Sequence, residues 1–191
     1  MRLLLLMLSI VLAATGPASS AIGAQLLPPE DVLAPHIQKE WQAVFYEQFK
    51  KDPKALAALG FFSSGGWSNE GQALFVEQGD TNIRYLYASP GLNATDVDRM
   101  QTLELPKSDF DLTKIYRLFP LENIDAVSFD NLNWEVVILK KETGFTGRTI
   151  KIKSVYMNTP ELAKYPKHEL LIRDIRSLNE KALLKLRGKS L

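Results

Sequence analysis

Along the chain the spacing of apolar positions changes several times, and each change marks an element. Ile37, Trp41, Val44, Phe45 and Phe49 recur at intervals of four, three, one and four, with charged and amide residues between them. That is one face of a helix, predicted over 35–51 with Pro35 in its first turn. Asp52-Pro53 then reads as the cap and first residue of a second short helix, ended by Gly60. Two antiparallel helices are therefore expected at the start.

The period then shortens. Phe61-Phe62, Gln72 to Gln78, Asn82 to Ala88 and Thr102 to Leu105 read as short strands, punctuated by Ser63-Ser-Gly-Gly66, Asn69-Glu-Gly71, Gly79-Asp80 and Ser89-Pro-Gly91. Ser108, with Asp111 three residues on, predicts a capped helix whose face is Leu112, Ile115, Tyr116 and Phe119, stopped by Pro120. Asn133 to Lys141 holds a nearly unbroken apolar run, as expected of a central strand covered on both faces. It is expected to pair with Gly147 to Met157. There Ile150 and Ile152 alternate with Lys151 and Lys153, and Val155 and Met157 take the opposite phase, so a bulge near Ser154 is predicted. Thr159-Pro160 opens a helical tail, interrupted at Pro166 and running to about Arg187, with Leu171, Ile175, Leu178, Ala182 and Leu186 as its stripe.

This order predicts an α+β fold: an antiparallel sheet of about five to seven strands, covered on one face by N-terminal helices and a long C-terminal helix. At 191 residues, 46% hydrophobic and 24% charged, the chain suits one globular domain over 22–191. Residues 1–21 read as a secretory signal peptide. Met1-Arg2 precedes an apolar run from Leu3 to Ala14, followed by small residues. As a helix that run rises only about 18 Å, short of a bilayer core of about 30 Å. Cleavage after Ala21 leaves Ser19 and Ala21 at the small-residue positions, whereas cleavage after Ala24 puts Ile22 there. The expected location is periplasmic or secreted, with no stable membrane anchor.

Charge and composition narrow the chemistry. With no cysteine, disulfides, thiol nucleophiles and thiolate metal sites are excluded. Residues 22–106 carry 6 basic and 11 acidic side chains, and residues 107–191 carry 16 and 11. Lys151 and Lys153 share a strand face and are the candidate surface for an anionic partner. His36 and His168 have no partner at metal-binding spacing, and both read as surface histidines; no metal or cofactor is expected. Ser63-Ser64 and the carboxylates Glu70, Asp80, Asp96 and Asp98 are the available catalytic groups, but they match no hydrolase elbow or phosphate loop.

Trp67, Tyr85 and Tyr87, with Arg84 beside them, form a candidate ligand platform; the competing reading places Ile83, Tyr85 and Tyr87 on the core face. Together these features favour an exported, non-enzymatic binding protein. It would hold a protein partner, as an inhibitor or immunity-type protein does, or a small apolar ligand, and not nucleic acid. The alternative is a cell-envelope hydrolase using carboxylates or Ser63-Ser64. Expression in a secreting bacterial host is expected to release a chain beginning at Ile22, which intact mass and N-terminal sequencing check; retention of Met1 overturns the assignment.

Overall fold

The run Ala55-Leu-Ala-Ala-Leu-Gly-Phe-Phe-Ser-Ser64 is rich in alanine, yet it is the strand on which the sheet is built. The computed structural model describes residues 39–64, 70–125, 133–144, 147–158 and 161–188. Within them the order is α1 (Lys39–Lys51), β1 (Ala55–Ser64), β2 (Gln72–Gln78), β3 (Asn82–Ala88) and β4 (Gln101–Pro106), then α2 (Thr113–Tyr116), β5 (Ile124–Asp125), β6 (Asn133–Gly144), β7 (Gly147–Asn158) and α3 (Pro166–Gly188). The strands form one sheet in the order β4-β3-β2-β1-β6-β7-β5. Six of them are antiparallel, and the two-residue β5 runs parallel to β7. The class is α+β, with one N-terminal helix and the long C-terminal one.

The expected second helix over 53–60 is absent. Alanine favours a helix locally, but β1 pairs with β2 on one side and β6 on the other, and tertiary pairing overrides propensity. Asp52 is no helix cap; its Oδ1 accepts the Lys54 N–H, 2.9 Å, in the turn that leads into β1.

Helices cover both faces of the sheet, not one. Alternate β1 and β6 residues Leu59, Phe61, Val136 and Ile138 pack with Leu171, Ile172, Ile175 and Ala182 of α3. Their neighbours Ala58, Phe62, Val137 and Leu139 pack with Trp41, Phe45, Tyr46 and Phe49 of α1. This two-sided burial also removes the need for a bulge in β7, whose pairing with β6 runs without a break from Gly147 to Asn158. Ile150 and Ile152 meet the α1 side, and Val155 and Met157 the α3 side. The change of phase is one strand serving two cores in succession.

Two helix boundaries also move. Asp111 Oδ1 accepts the Thr113 N–H, 2.9 Å, so α2 begins there rather than at Ser108 and has only four residues. Pro166 starts α3 instead of interrupting it, as suits a residue without an N–H in a first helical turn. Among the described residues no helix is long and apolar enough to cross a membrane.

At the head of β2 the backbone runs close against β3, so that a Cβ at Gly71 would collide with the Ala88 carbonyl oxygen. Gly71→Ala must push two strands apart and is expected to cost about 1–3 kcal/mol, measured by urea unfolding; an unchanged midpoint contradicts this packing.

Candidate functional site

The last two strands are longer than the sheet they join. β1 pairs with β6 only as far as Ala57 opposite Lys140, whereas β6 and β7 stay paired out to Gly144 opposite Gly147. The end of this hairpin is therefore an arm two strands wide. Lys141 anchors its base. The ammonium sits 5.0 Å from the centre of the Phe49 ring and donates to the Lys50 and Asp52 carbonyls, at 3.2 and 2.6 Å, closing the C-terminal end of α1. Partial burial holds the Lys141 ammonium pKa below its usual range, offset in part by Asp52.

Alternation sorts the arm's side chains. Lys140 lies opposite Lys151, and Lys153 opposite Ile138, on the face that α3 covers further along. All three lysines are exposed there. Lys151 pairs with Glu142 at 2.6 Å, with Lys140 at 3.8 Å from the same carboxylate. The hydrogen bond from Lys151 is the main reason the Glu142 carboxyl lies below its usual range. Lys153 makes no ion pair among the described residues. The two lysines singled out by the sequence are thus brought together, and Lys140 joins them.

Among the described residues much of the outer side of β7 has no strand beside it. Its only strand neighbour there among the described residues is β5, at Met157 and Asn158, and the Tyr156 N–H turns outward to Asn123 Oδ1, 2.9 Å away. Along a strand the backbone groups of every second residue point the same way. Those of Arg148, Ile150 and Ile152 therefore face outward as well, with no strand beside them among the described residues.

Of the candidate platform, Arg84, Tyr85 and Tyr87 are among the described residues. Tyr85 and Tyr87 are core residues on the α3 side, and the Tyr85 hydroxyl donates to Asn179 Oδ1 at 2.6 Å. Burial pushes the Tyr85 pKa far up, so it stays a neutral donor. Arg84 lies on the opposite face, 3.3 Å from Asp52 and 3.3 Å from the Gln48 carbonyl. Trp67 and His36 lie outside the described residues.

Ser63, Glu70 and His168 are engaged structurally. Ser63 Oγ donates to the Glu70 carbonyl at 3.1 Å, while the Gln72 side-chain amide both accepts from the Ser63 N–H and donates to its carbonyl. Glu70 is ion-paired with Arg176 of α3. Asp96 and Asp98 lie at a surface turn, and Asp80 is exposed. His168 is buried, not a surface residue, and its Nε2 donates to the Glu122 carbonyl at 2.8 Å. Among the described residues no group of three acidic or histidine side chains is placed to hold a metal.

Sequence reasoning missed a buried polar pair. Glu135 is 0% exposed, and the Gln42 amide of α1 donates to its carboxylate. Its signal was present, since Glu135 is the one charged residue in the apolar run from Trp134 to Leu139. Beside the pair, a cavity of about 10 Å³ is lined by Gln42, Phe45, Phe62 and Leu74 among others, room for a single water.

Comparison with known protein families, curated proteins and solved structures finds no match to this chain.

Asp52 joins α1 to the sheet, and its chemistry is testable. Desolvation pushes its pKa up, but hydrogen bonds from Gln78 and Lys54 and the charges of Arg84 and Lys141 outweigh it, leaving the pKa below the ordinary carboxylate value. A depressed carboxyl adds stability above its unfolded pKa of about 3.9, lost as pH falls through the lower folded value. Asp52→Asn is expected to flatten the stability profile below about pH 4, read by urea unfolding from pH 2 to 7; an unchanged acid limb contradicts the assignment.

Proposed function

We propose that this chain is an exported binding protein that holds a protein partner and does not transform it. The observation that carries the reading is the outer edge of β7, where outward backbone groups lie beside exposed lysines near one end of the sheet. An open strand edge is a template for another polypeptide, because its N–H and C=O groups form a ladder with any extended chain. A small apolar ligand draws less support, since the space between α1 and the sheet amounts to a cavity of about 10 Å³, against the several hundred cubic ångströms usual for such sites. The hydrolase reading is weakened by the contacts of Ser63 and Glu70, which tie the β1–β2 connection to itself and to α3. Export rests on the N-terminal sequence alone.

The test is capture from envelope extract by immobilised residues 22–191 at low and at high salt, followed by mass spectrometry and reconstitution of the complex. One partner forming a complex of fixed stoichiometry is expected. Hydrolysis of an envelope substrate, lost on Ser64→Ala or Asp96→Asn, overturns the reading in favour of an enzyme.

A further inference from the structure

We propose that the outer edge of β7, from Arg148 to Lys153, receives an extended partner segment in which acidic and apolar residues alternate. The inference rests on the protein-binding reading above and names the chemistry of the partner.

Three features of one strand carry it. First, the N–H and C=O groups of Arg148, Ile150 and Ile152 point away from β6, an order fixed by the outward Tyr156 N–H. Six residues of open edge span about 20 Å, enough for a short ladder. Second, the side chains of that stretch divide by face. Lys151 and Lys153, with Lys140 next to Lys151, present ammonium groups on one face. Ile150 and Ile152 are half-buried against the α1 cluster on the other. Third, a strand laid beside β7 continues both faces. Its residues beside the lysines are therefore acidic, and those beside the isoleucines apolar.

The same features choose among occupants. A second copy paired edge to edge brings lysines against lysines, the arrangement that protects natural edges from self-association. An anionic polymer answers the lysines but leaves the outward N–H and C=O groups without partners. Only an acidic, extended polypeptide satisfies both. The Lys151–Glu142 pair does not close the site, because an exposed ion pair is weak and its ammonium has donors to spare.

The experiment uses residues 22–191 and labelled ten-residue peptides read by fluorescence anisotropy: alternating Glu and Val, the same composition in two blocks, alternating Lys and Val, and oligoglutamate. The alternating Glu–Val peptide is expected to bind at least about tenfold more tightly than the others, a difference of about 1.4 kcal/mol. It is also expected to slow hydrogen exchange at the Ile150 and Ile152 amides. Lys151→Glu with Lys153→Glu, at exposed positions, should lose that peptide and gain the Lys–Val one. Ile150→Pro removes an outward N–H without breaking the β6 ladder and should lose binding, with near-UV circular dichroism unchanged in both variants.

Equal binding of oligoglutamate without amide protection overturns the proposal in favour of a charged surface. A concentration-dependent dimer protecting the same amides overturns it in favour of a second copy. If no peptide binds, and the wild type and the double lysine variant capture the same partner, this site is wrong and the protein-binding function stands; if no partner is captured either, both fall.

Discussion

The structure depends on β1 and β6 being buried from both sides. Ala58, Leu59, Phe61 and Phe62 of β1 and Val136 to Leu139 of β6 divide their side chains between two helical layers, so over this stretch neither strand has a solvent side. Each helix therefore has a defined seat. α1 lies on one face through Trp41, Phe45 and Phe49, and α3 lies on the other through Leu171, Ile175 and Ala182. The strands further out are relieved of this demand by degrees. β4 carries exposed Thr102 and Glu104 on the α1 side, and the stretch of β7 up to Lys153 carries exposed lysines on the α3 side.

Hydrophobic burial alone tolerates sliding and rotation, because it has no direction. Here polar contacts set the positions. Gln42 against Glu135 and Arg84 against Asp52 pin the two ends of α1, and Lys141 closes its last turn. Tyr85 against Asn179 and Arg176 against Glu70 hold the middle of α3, while Lys181 and Lys185 towards its C-terminal end reach Asp109 and lie over the Phe110 ring. A buried carboxylate such as Glu135 is costly unless it is met by a donor, so a displaced α1 is penalised twice, by lost packing and by an unanswered charge. Much of the chemically reactive inventory of the chain is spent in this way.

Where local signals and tertiary demands agree, the sequence is easy to read. β2 and β3 fall at the expected residues, Gln72–Gln78 and Asn82–Ala88, because Gly79-Asp80 supplies the turn between them, with Gly79 at φ 63°. The stripe of α3 is equally plain. β1 is opaque because Lys54-Ala-Leu-Ala-Ala-Leu59 carries helix-forming residues and becomes a strand only through partners on either side. The phase change in β7 is visible, but its cause lies in a second helical layer that no local pattern reveals. The shared face of Lys151 and Lys153 follows from alternation alone. That their strand stands near the end of the sheet depends on strand order, which composition and periodicity do not encode.

Placing β1 at the centre also shapes how the chain reaches this state. Its neighbour β2 follows within a few residues, but its other neighbour, β6, pairs Asn133 with Ser64 across about seventy residues of chain. The hairpins β1–β2–β3–β4 and β6–β7 can each form from local contacts, yet the most apolar strands of both halves stay uncovered until they meet. High contact order then makes that meeting the slow step, and until it occurs the exposed Phe61, Phe62, Val136 and Val137 are attractive to any passing chain. A protein built this way is at its most adhesive just before it is finished, so its yield depends on how quickly the second half follows the first.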